Sequence, residues 1–271
     1  MPVKDQHNID IISLIQNQEM DDHVASLRYA GIIQKALMPD SESLRGLFKD
    51  YFVLFLPRDI VSGDFYYAFS NRQYMFIAAG DCTGHGVPGA LLSILGISFL
   101  NEIVQAKCDP KANRVLNLMR EKVMKALHQT GEGAVTKDSI DIALCIIDFH
   151  TGKFQYSGAN RPLIRMRNGD LTEFKADKMT IGLAPLVEQP FTNQIIDTLP
   201  GDSFYLFSDG FADQFGEMTD KKFKHKHLKR VIVSMSGLPM PQQKKILRST
   251  FREWKGNTQQ IDDVLVLGFQ L

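Results

Sequence analysis

The sequence predicts an α+β fold in which antiparallel sheets are covered by pairs of helices. Two observations carry this. Strand-like runs come in consecutive blocks, and helix-like segments come in pairs between them, in the order strands, two helices, strands, two helices, strand. The strand runs are joined by hairpin signals such as "FHTGK" and "RNGD", which suit antiparallel neighbours; alternating βαβ units would need a helix after every strand.

The elements follow in order. Residues 6–38 read as a helix stopped by Pro39. Met20, Val24, Leu27, Gly31 and Gln34 recur at three-four spacing, while Ile32, Ile33, Ala36 and Leu37 form a more apolar face. That second face is expected to pack on the rest of the chain, and the earlier part to meet a partner or a second copy. "YFVLFLP", "GDFYYAF" and "YMFIAAG" are short, aromatic and β-branched, and read as strands. Val87 to Ala106 is a helix with Leu91, Leu92, Leu95, Phe99 and Ile103 on one face. A second helix runs from about Pro110 to Gln129, before a loop marked by Gly131 and Gly133. "DIALCIIDF", "KFQYSGA", "LIRMRN", "LTEFKA", "NQIIDTL" and "SFYLFSDG" are strands, His225–Met235 and Pro241–Trp254 helices, and "DVLVLGFQL" the last strand. No linker divides residues 45–271, so the division is residues 1–40 as a helical extension and 41–271 as one domain.

Composition narrows the class. Of 271 residues 44% are apolar and 23% charged, and the formal net charge is zero. This is ordinary for a globular protein and gives no electrostatic footprint for nucleic acid. No apolar run is expected to span a membrane, and "MPVKDQHNIDII" does not read as a signal peptide. Three widely spaced cysteines suit free thiols in a reducing cytoplasm.

The chemistry lies in the acidic residues at strand tips. Asp64 follows "VSG", Asp81 ends "FIAAG", Asp209 ends "YLFS", and Asp262 and Asp263 open "VLVLGF". A carboxylate beside buried strands must be paired or must hold a cation. Four converging aspartates carry about four negative charges, which two divalent cations neutralise. An oxygen-only donor set suits magnesium or manganese over zinc. The plainer alternative is that each aspartate caps a turn or a helix.

"GDCTGHG", residues 80–86, admits other readings. A cysteine phosphatase requires an arginine six residues after its thiolate, and Pro88 stands there. A P-loop requires Gly-Lys-Ser/Thr, which is absent. His85 is a candidate general acid or a structural turn residue. Arg58 is a candidate phosphate ligand or a plain surface ion-pair former.

Taken together, "DIVSGDFYY", "AAGDCTGHGVPGALLSILG", "YSGANRPL", "LPGDSFYLFSDGFADQFG" and "IDDVLVLG" resemble the successive motifs of the metal-dependent serine/threonine protein phosphatases of the PPM type, in their bacterial SpoIIE/RsbU-like branch. The resemblance implies an α-β-β-α sandwich of two antiparallel sheets flanked by helices, with two Mn²⁺ or Mg²⁺ ions at one end. By the same resemblance Asp64, Asp81, Asp209 and Asp262 match metal ligands, together with the main-chain carbonyl of Cys82; Asp263 is the neighbour or the alternative ligand. It implies hydrolysis of phosphoserine or phosphothreonine by a metal-activated water, with no phosphoenzyme. The substrate implied is a phosphorylated signalling protein of the STAS (anti-anti-sigma-like) class, and the leading helix is placed for control or homodimerisation. Two departures stand out: Ser62-Gly63-Asp64 replaces Gly-Gly-Asp, and Ser157-Gly158-Ala159-Asn160-Arg161-Pro162 stands where the family has Ala-Gly-His-Pro, with its histidine missing. The rival readings are a catalytically silent, phosphatase-like binding module and a phosphatase of small phosphomonoesters.

Overall fold

The structure is a computed structural model; it describes residues 3–106, 110–129, 136–183 and 189–271, and side-chain surroundings from residue 20 onward. The expected Gly131–Gly133 loop lies outside the described residues. The elements are α1 (Val3–Leu37), α2 (Ser41–Leu47), β1 (Asp50–Leu56), β2 (Phe65–Ser70), β3 (Tyr74–Cys82), α3 (Gly86–Gln105), α4 (Ala112–Ala126), β4 (Ile140–Asp148), β5 (Phe154–Ala159), β6 (Leu163–Arg167), β7 (Asp170–Phe174), β8 (Gln194–Ile196), β9 (Ser203–Phe207), α5 (Gly210–Asp213), α6 (His225–Ser234), α7 (Met240–Lys255) and β10 (Val264–Gln270).

The strands form two five-stranded sheets, β1-β10-β9-β6-β7 and β2-β3-β4-β5-β8, and every pairing in them is antiparallel. Side-chain alternation sorts each strand between two layers. In β9, Phe204 and Leu206 enter the layer between the sheets, where they meet Ile77, Cys145 and Phe154, while Tyr205 and Phe207 point outward. The outer face of the β1–β7 sheet is covered by α6 and α7 through Leu228, Ile232, Leu247 and Phe251. The outer face of the β2–β8 sheet is covered by α3 and α4 through Leu100, Leu116 and Met119. The result is the expected α-β-β-α sandwich. Its central strands are buried on both faces, which is why they read as unbroken apolar runs.

Three local expectations need correction. The inward seam of α1 is Gly31, Gln34 and Met38, not the more apolar face: Ile32, Ile33 and Leu37 are 62, 46 and 42% exposed. A small residue and an amide win because α1 approaches backbone here. A Cβ on Gly31 would stand 3.0 Å from the Ile60 carbonyl oxygen. Gln34 accepts from the Ser62 amide at 3.0 Å and donates to the Ser62 carbonyl and to Ser93 Oγ. In α3, Leu91 is 65% exposed although Leu92, Leu100 and Ile103 are buried. This helix is apolar nearly all round, so its periodicity does not mark a face. By length and composition α3 also meets the criterion for a membrane span, contrary to expectation, but half of its apolar window is packed inside the fold as a core helix is. Two short helices, α2 and α5, were not expected. The first is capped by Asp40, whose carboxylate accepts from the Ser43 amide at 2.8 Å.

Candidate active site

One end of the sandwich collects the strand-tip aspartates from both sheets. Asp64 directly precedes β2, Asp81 lies one residue before the end of β3, Asp209 follows β9 as the N-cap of α5, and Asp262 and Asp263 precede β10. The antiparallel registers bring these tips together: β1 ends opposite the start of β10, and Asp81 stands opposite Asp141 on β4.

The loops close tightly because they lack side chains. A Cβ on Gly63 would come within 2.7 Å of the Gly84 carbonyl oxygen, and one on Gly89 within 2.3 Å of the same atom. The Ser62-Gly63-Asp64 turn therefore lies directly on the Gly84-to-Gly89 turn that opens α3. Asp263 stitches this together. Its Oδ1 accepts from the Arg58 amide and its Oδ2 from the Gly63 amide, both at 2.8 Å. Both oxygens of Asp263 are thus committed to main chain. Asp262, whose Oδ1 accepts from the Asp263 amide at 2.8 Å, remains at the cavity.

That cavity measures about 240 Å³ and is lined by Asp81, Cys82, His85, Asp141, Asp209 and Asp262 among others, with Arg161 the one basic side chain besides His85. Asp64 lies beneath it, fully buried, and accepts a 2.6 Å hydrogen bond from Ser208 Oγ across the two sheets. A groove of about 1440 Å³ exists at the other end of the β2–β8 sheet, near Tyr74 and Asp148. It is wider, but it holds no comparable set of carboxylates.

The carboxylates perturb one another. Burial pushes the Asp81 carboxyl up to about 7; Arg161 opposes this, and Asp209, Asp262 and Asp141 add to it. Asp64 is driven well above the usual carboxylate range by burial and then by Asp81, against the Ser208 hydrogen bond. Asp262 is raised by burial and by Asp209. Negative charge is in excess, as a site for cations requires.

The remaining candidates divide. Nδ1 of His85 lies 3.0 Å from Asp59 Oδ2 at the exposed rim. The guanidinium of Arg58 donates to the Ile261 carbonyl at 2.9 Å and does not line the cavity. The Cys82 side chain is buried in the apolar core beneath α3; burial, then Asp81, pushes its thiol up, which disfavours a thiolate.

The sequence profile of the family described as Stage II sporulation protein E (SpoIIE) matches residues 71–271. The chain belongs to the SpoIIE family. Among solved structures it resembles the SiaA-PP2C domain of Pseudomonas aeruginosa at 28% identity, covering 93% of this chain and 98% of that one, with a TM-score of 0.83. It also resembles the PP2C phosphatase domain with a regulatory fragment of SpoIIE from Bacillus subtilis, at 19% identity and TM-score 0.65, over 82% of this chain and 63% of that one. RsbX, solved with magnesium, aligns at 15% identity and TM-score 0.54, over 82% of this chain and 94% of that one. No curated protein sequence matches. This SpoIIE-family chain is accordingly a phosphoprotein phosphatase of the PP2C/PPM type.

The donor set fits the divalent cations such enzymes use: oxygen ligands, a charge surplus, and a buried Asp81 Oδ2 that receives no well-formed hydrogen bond. Yet no three acidic, histidine or cysteine side chains among the described residues surround one point as ligands do. Asp81, Asp209 and Asp141 converge instead on Arg161. Its Nη2 lies 2.7 Å from Asp81 Oδ2, 2.7 Å from Asp209 Oδ2 and 3.4 Å from Asp141 Oδ2. Sequence reasoning gives Arg161 only as part of a departure from the family motif, with no role of its own. It also missed Asp141, although "DIALCIIDF" shows the same pattern of an aspartate at a strand tip. For Arg161 no local signal existed, because its partners are 20 to 80 residues away.

Proposed function

We propose that this SpoIIE-family phosphatase hydrolyses phosphoserine or phosphothreonine on a STAS-type signalling protein, using two Mn²⁺ or Mg²⁺ ions. The observation that carries the reading is the gathering of aspartates from five strand tips, with Asp64, Asp81 and Asp262 all raised above the usual carboxylate range. Asp64, Asp81, Asp209, Asp262 and the Cys82 carbonyl are the groups that would hold the ions. When bound, these supply an activated water and neutralise charge on the phosphoryl group.

The chain's own part is positioning and charge. Asp263 fixes the Gly63 and Arg58 amides so that Asp64 and Asp262 face the same end of the sandwich. Ser208 ties Asp64 to the opposite sheet. His85, which meets Asp59 at the rim, would protonate the leaving serine or threonine oxygen. Arg58 serves the Ile261 loop.

We assign residues 1–40 to regulation or homodimerisation. Gln34 binds the Ser62 backbone two residues from Asp64, and the exposed stripe of Tyr29, Ile32, Ile33 and Leu37 is open to a second copy. Buried, unpaired Cys82 and Cys145 suit the cytoplasm. A second reading, a silent phosphatase-like module, is favoured by one observation, the guanidinium lying among the carboxylates. Phosphate release from a phosphorylated STAS-type protein, measured with Mn²⁺, with chelator, and against free nucleotides, tests the proposal. Mn²⁺-dependent release from the protein substrate is expected. No release supports the silent module, and release from nucleotides alone supports a small-molecule phosphatase.

A further inference from the structure

The contact between Arg161 and the carboxylates has the geometry of a temporary partner. A single nitrogen, Nη2, serves Asp81, Asp209 and Asp141, while the buried Nε has no partner. A guanidinium built into a permanent pair normally uses its fork in two parallel bonds. Asp81 Oδ2, although 2.7 Å away, receives no well-formed hydrogen bond.

The loop that carries Arg161 is nonetheless held firmly. Tyr156 Oη donates to the Arg161 carbonyl at 2.7 Å. Asn160, in the left-handed region at φ +55°, donates from Nδ2 to Asp141 Oδ1 at 2.9 Å. The backbone is anchored, and only the long side chain is free to leave.

We propose that Arg161 is an internal counter-cation that competes with divalent metal for Asp81 and Asp209, and so sets the metal concentration at which the enzyme loads. The inference rests on the reading of those two aspartates as metal ligands. One guanidinium nitrogen, 2.7 Å from both Asp81 Oδ2 and Asp209 Oδ2, fills the space between these oxygens that a cation held by both aspartates would take. Loading therefore includes displacement of Arg161, and the two cations oppose each other by linkage. Arginine stays charged at every working pH, so the competition is not relieved by proton loss.

The test is calorimetric titration of Mn²⁺ into the metal-free full chain, with melting temperatures recorded in chelator and in saturating Mn²⁺. The proteins are the wild type, Arg161→Met, which keeps length without charge, and Arg161→Met/Asp141→Asn, which also removes one unbalanced carboxylate. Both variants are expected to bind Mn²⁺ about tenfold more tightly than the wild type. Arg161→Met should melt lower than wild type in chelator and close to it in Mn²⁺. If Arg161→Met does not fold without metal, the double variant supplies the affinity. Equal or weaker Mn²⁺ binding by the folded variants overturns the inference and leaves the metal site standing. Absence of binding by all three proteins overturns the metal reading and the inference with it. Binding by the variants alone supports the competition in its strongest form.

Discussion

Two arginines six residues apart, one after β5 and one ending β6, meet aspartates at opposite ends of the sandwich, half-buried at the Arg161 end and buried at the Arg167 end. Arg167 meets Asp202 through its fork, Nε to Oδ1 at 2.8 Å and Nη2 to Oδ2 at 2.7 Å. Asp202 also accepts from the Leu199 amide at 2.9 Å. Burial raises the Asp202 carboxyl, but the Arg167 hydrogen bonds, the Leu199 amide and the charges of Arg167 and Arg165 together outweigh it and hold the group below the usual range. Arg161 meets three carboxylates with one nitrogen, and Asp81 stays raised to about 7 despite it. The residue types are the same. Stoichiometry separates them: Arg167 serves one buried carboxylate, with the exposed Asp197 at 3.3 Å, and locks a turn, whereas one arginine for three half-buried carboxylates leaves a surplus that a further cation relieves.

The largest expected effect is on turnover. Asp81→Asn or Asp209→Asn should lower phosphate release by at least about 10²–10³-fold, since each removes a proposed ligand at the reacting centre. Neither should lower the melting temperature in chelator, because each relieves crowded charge. Asp202→Asn should do the reverse. The pair is buried on the Asp202 side alone, so its loss should lower the melting temperature by a few degrees, while turnover per folded molecule persists. Parallel melts and phosphate-release rates on the three variants decide this. Full activity in either Asp81→Asn or Asp209→Asn would remove the distinction between the two ends.

The two ends should also respond oppositely to pH. Asp81 holds its proton more tightly in the folded chain than in the unfolded one. The metal-free protein therefore loses stability as pH rises from about 4 to about 7. The contribution of Asp202 is complete above the ordinary aspartate value near 3.8 and is lost as pH falls below it. Melting temperatures in chelator should decline between pH 5 and pH 7.5, and saturating Mn²⁺ should flatten that decline. A flat profile without metal would show that the Asp81 end is as well balanced as the Asp202 end.

A smaller effect is expected from α1. Gln34→Ala leaves the Ser62 amide without its partner and the Ser62 carbonyl with only the long 3.4 Å bond from Ser93 Oγ, at a cost of about 1–3 kcal/mol. Because Ser62 leads into Asp64, Mn²⁺ affinity should weaken as well. Ile33→Ala, on the exposed stripe, should change neither. If light scattering shows a dimer in the wild type and a monomer in Ile33→Ala, the stripe is the contact between copies.

Much of the fold was legible because its signals are local. Hairpin turns, β-branched runs and helix pairs each occupy a window of a few residues, and the two sheets follow from their order. The carboxylate tips were legible for the same reason. What was not legible depends on contacts across the chain. The seam of α1 was chosen by backbone approach at Gly31 and by the Gln34 bonds to Ser62, which outrank Ile33 and Leu37 in deciding the face. Arg161 reads as one basic residue in a loop until β3, β4 and β9 bring Asp81, Asp141 and Asp209 around it.

The smallest expected effect on turnover concerns Cys82, next to the most perturbed accessible carboxylate and yet outside its chemistry. Successive side chains on β3 point to opposite faces. While Asp81 faces the cavity, the Cys82 side chain enters the apolar layer with Phe65, Leu92 and Ile140. Only its main chain belongs to the proposed site, and serine preserves that main chain. Cys82→Ser places a hydroxyl in an apolar layer, which costs about 1–3 kcal/mol in stability. Phosphate release per folded molecule should stay within about twofold of wild type, and Mn²⁺ affinity should not move. A loss on the scale of Asp81→Asn, with the fold intact by circular dichroism, would mean that the thiol itself acts, and that charge surplus is not what sets this end of the molecule apart.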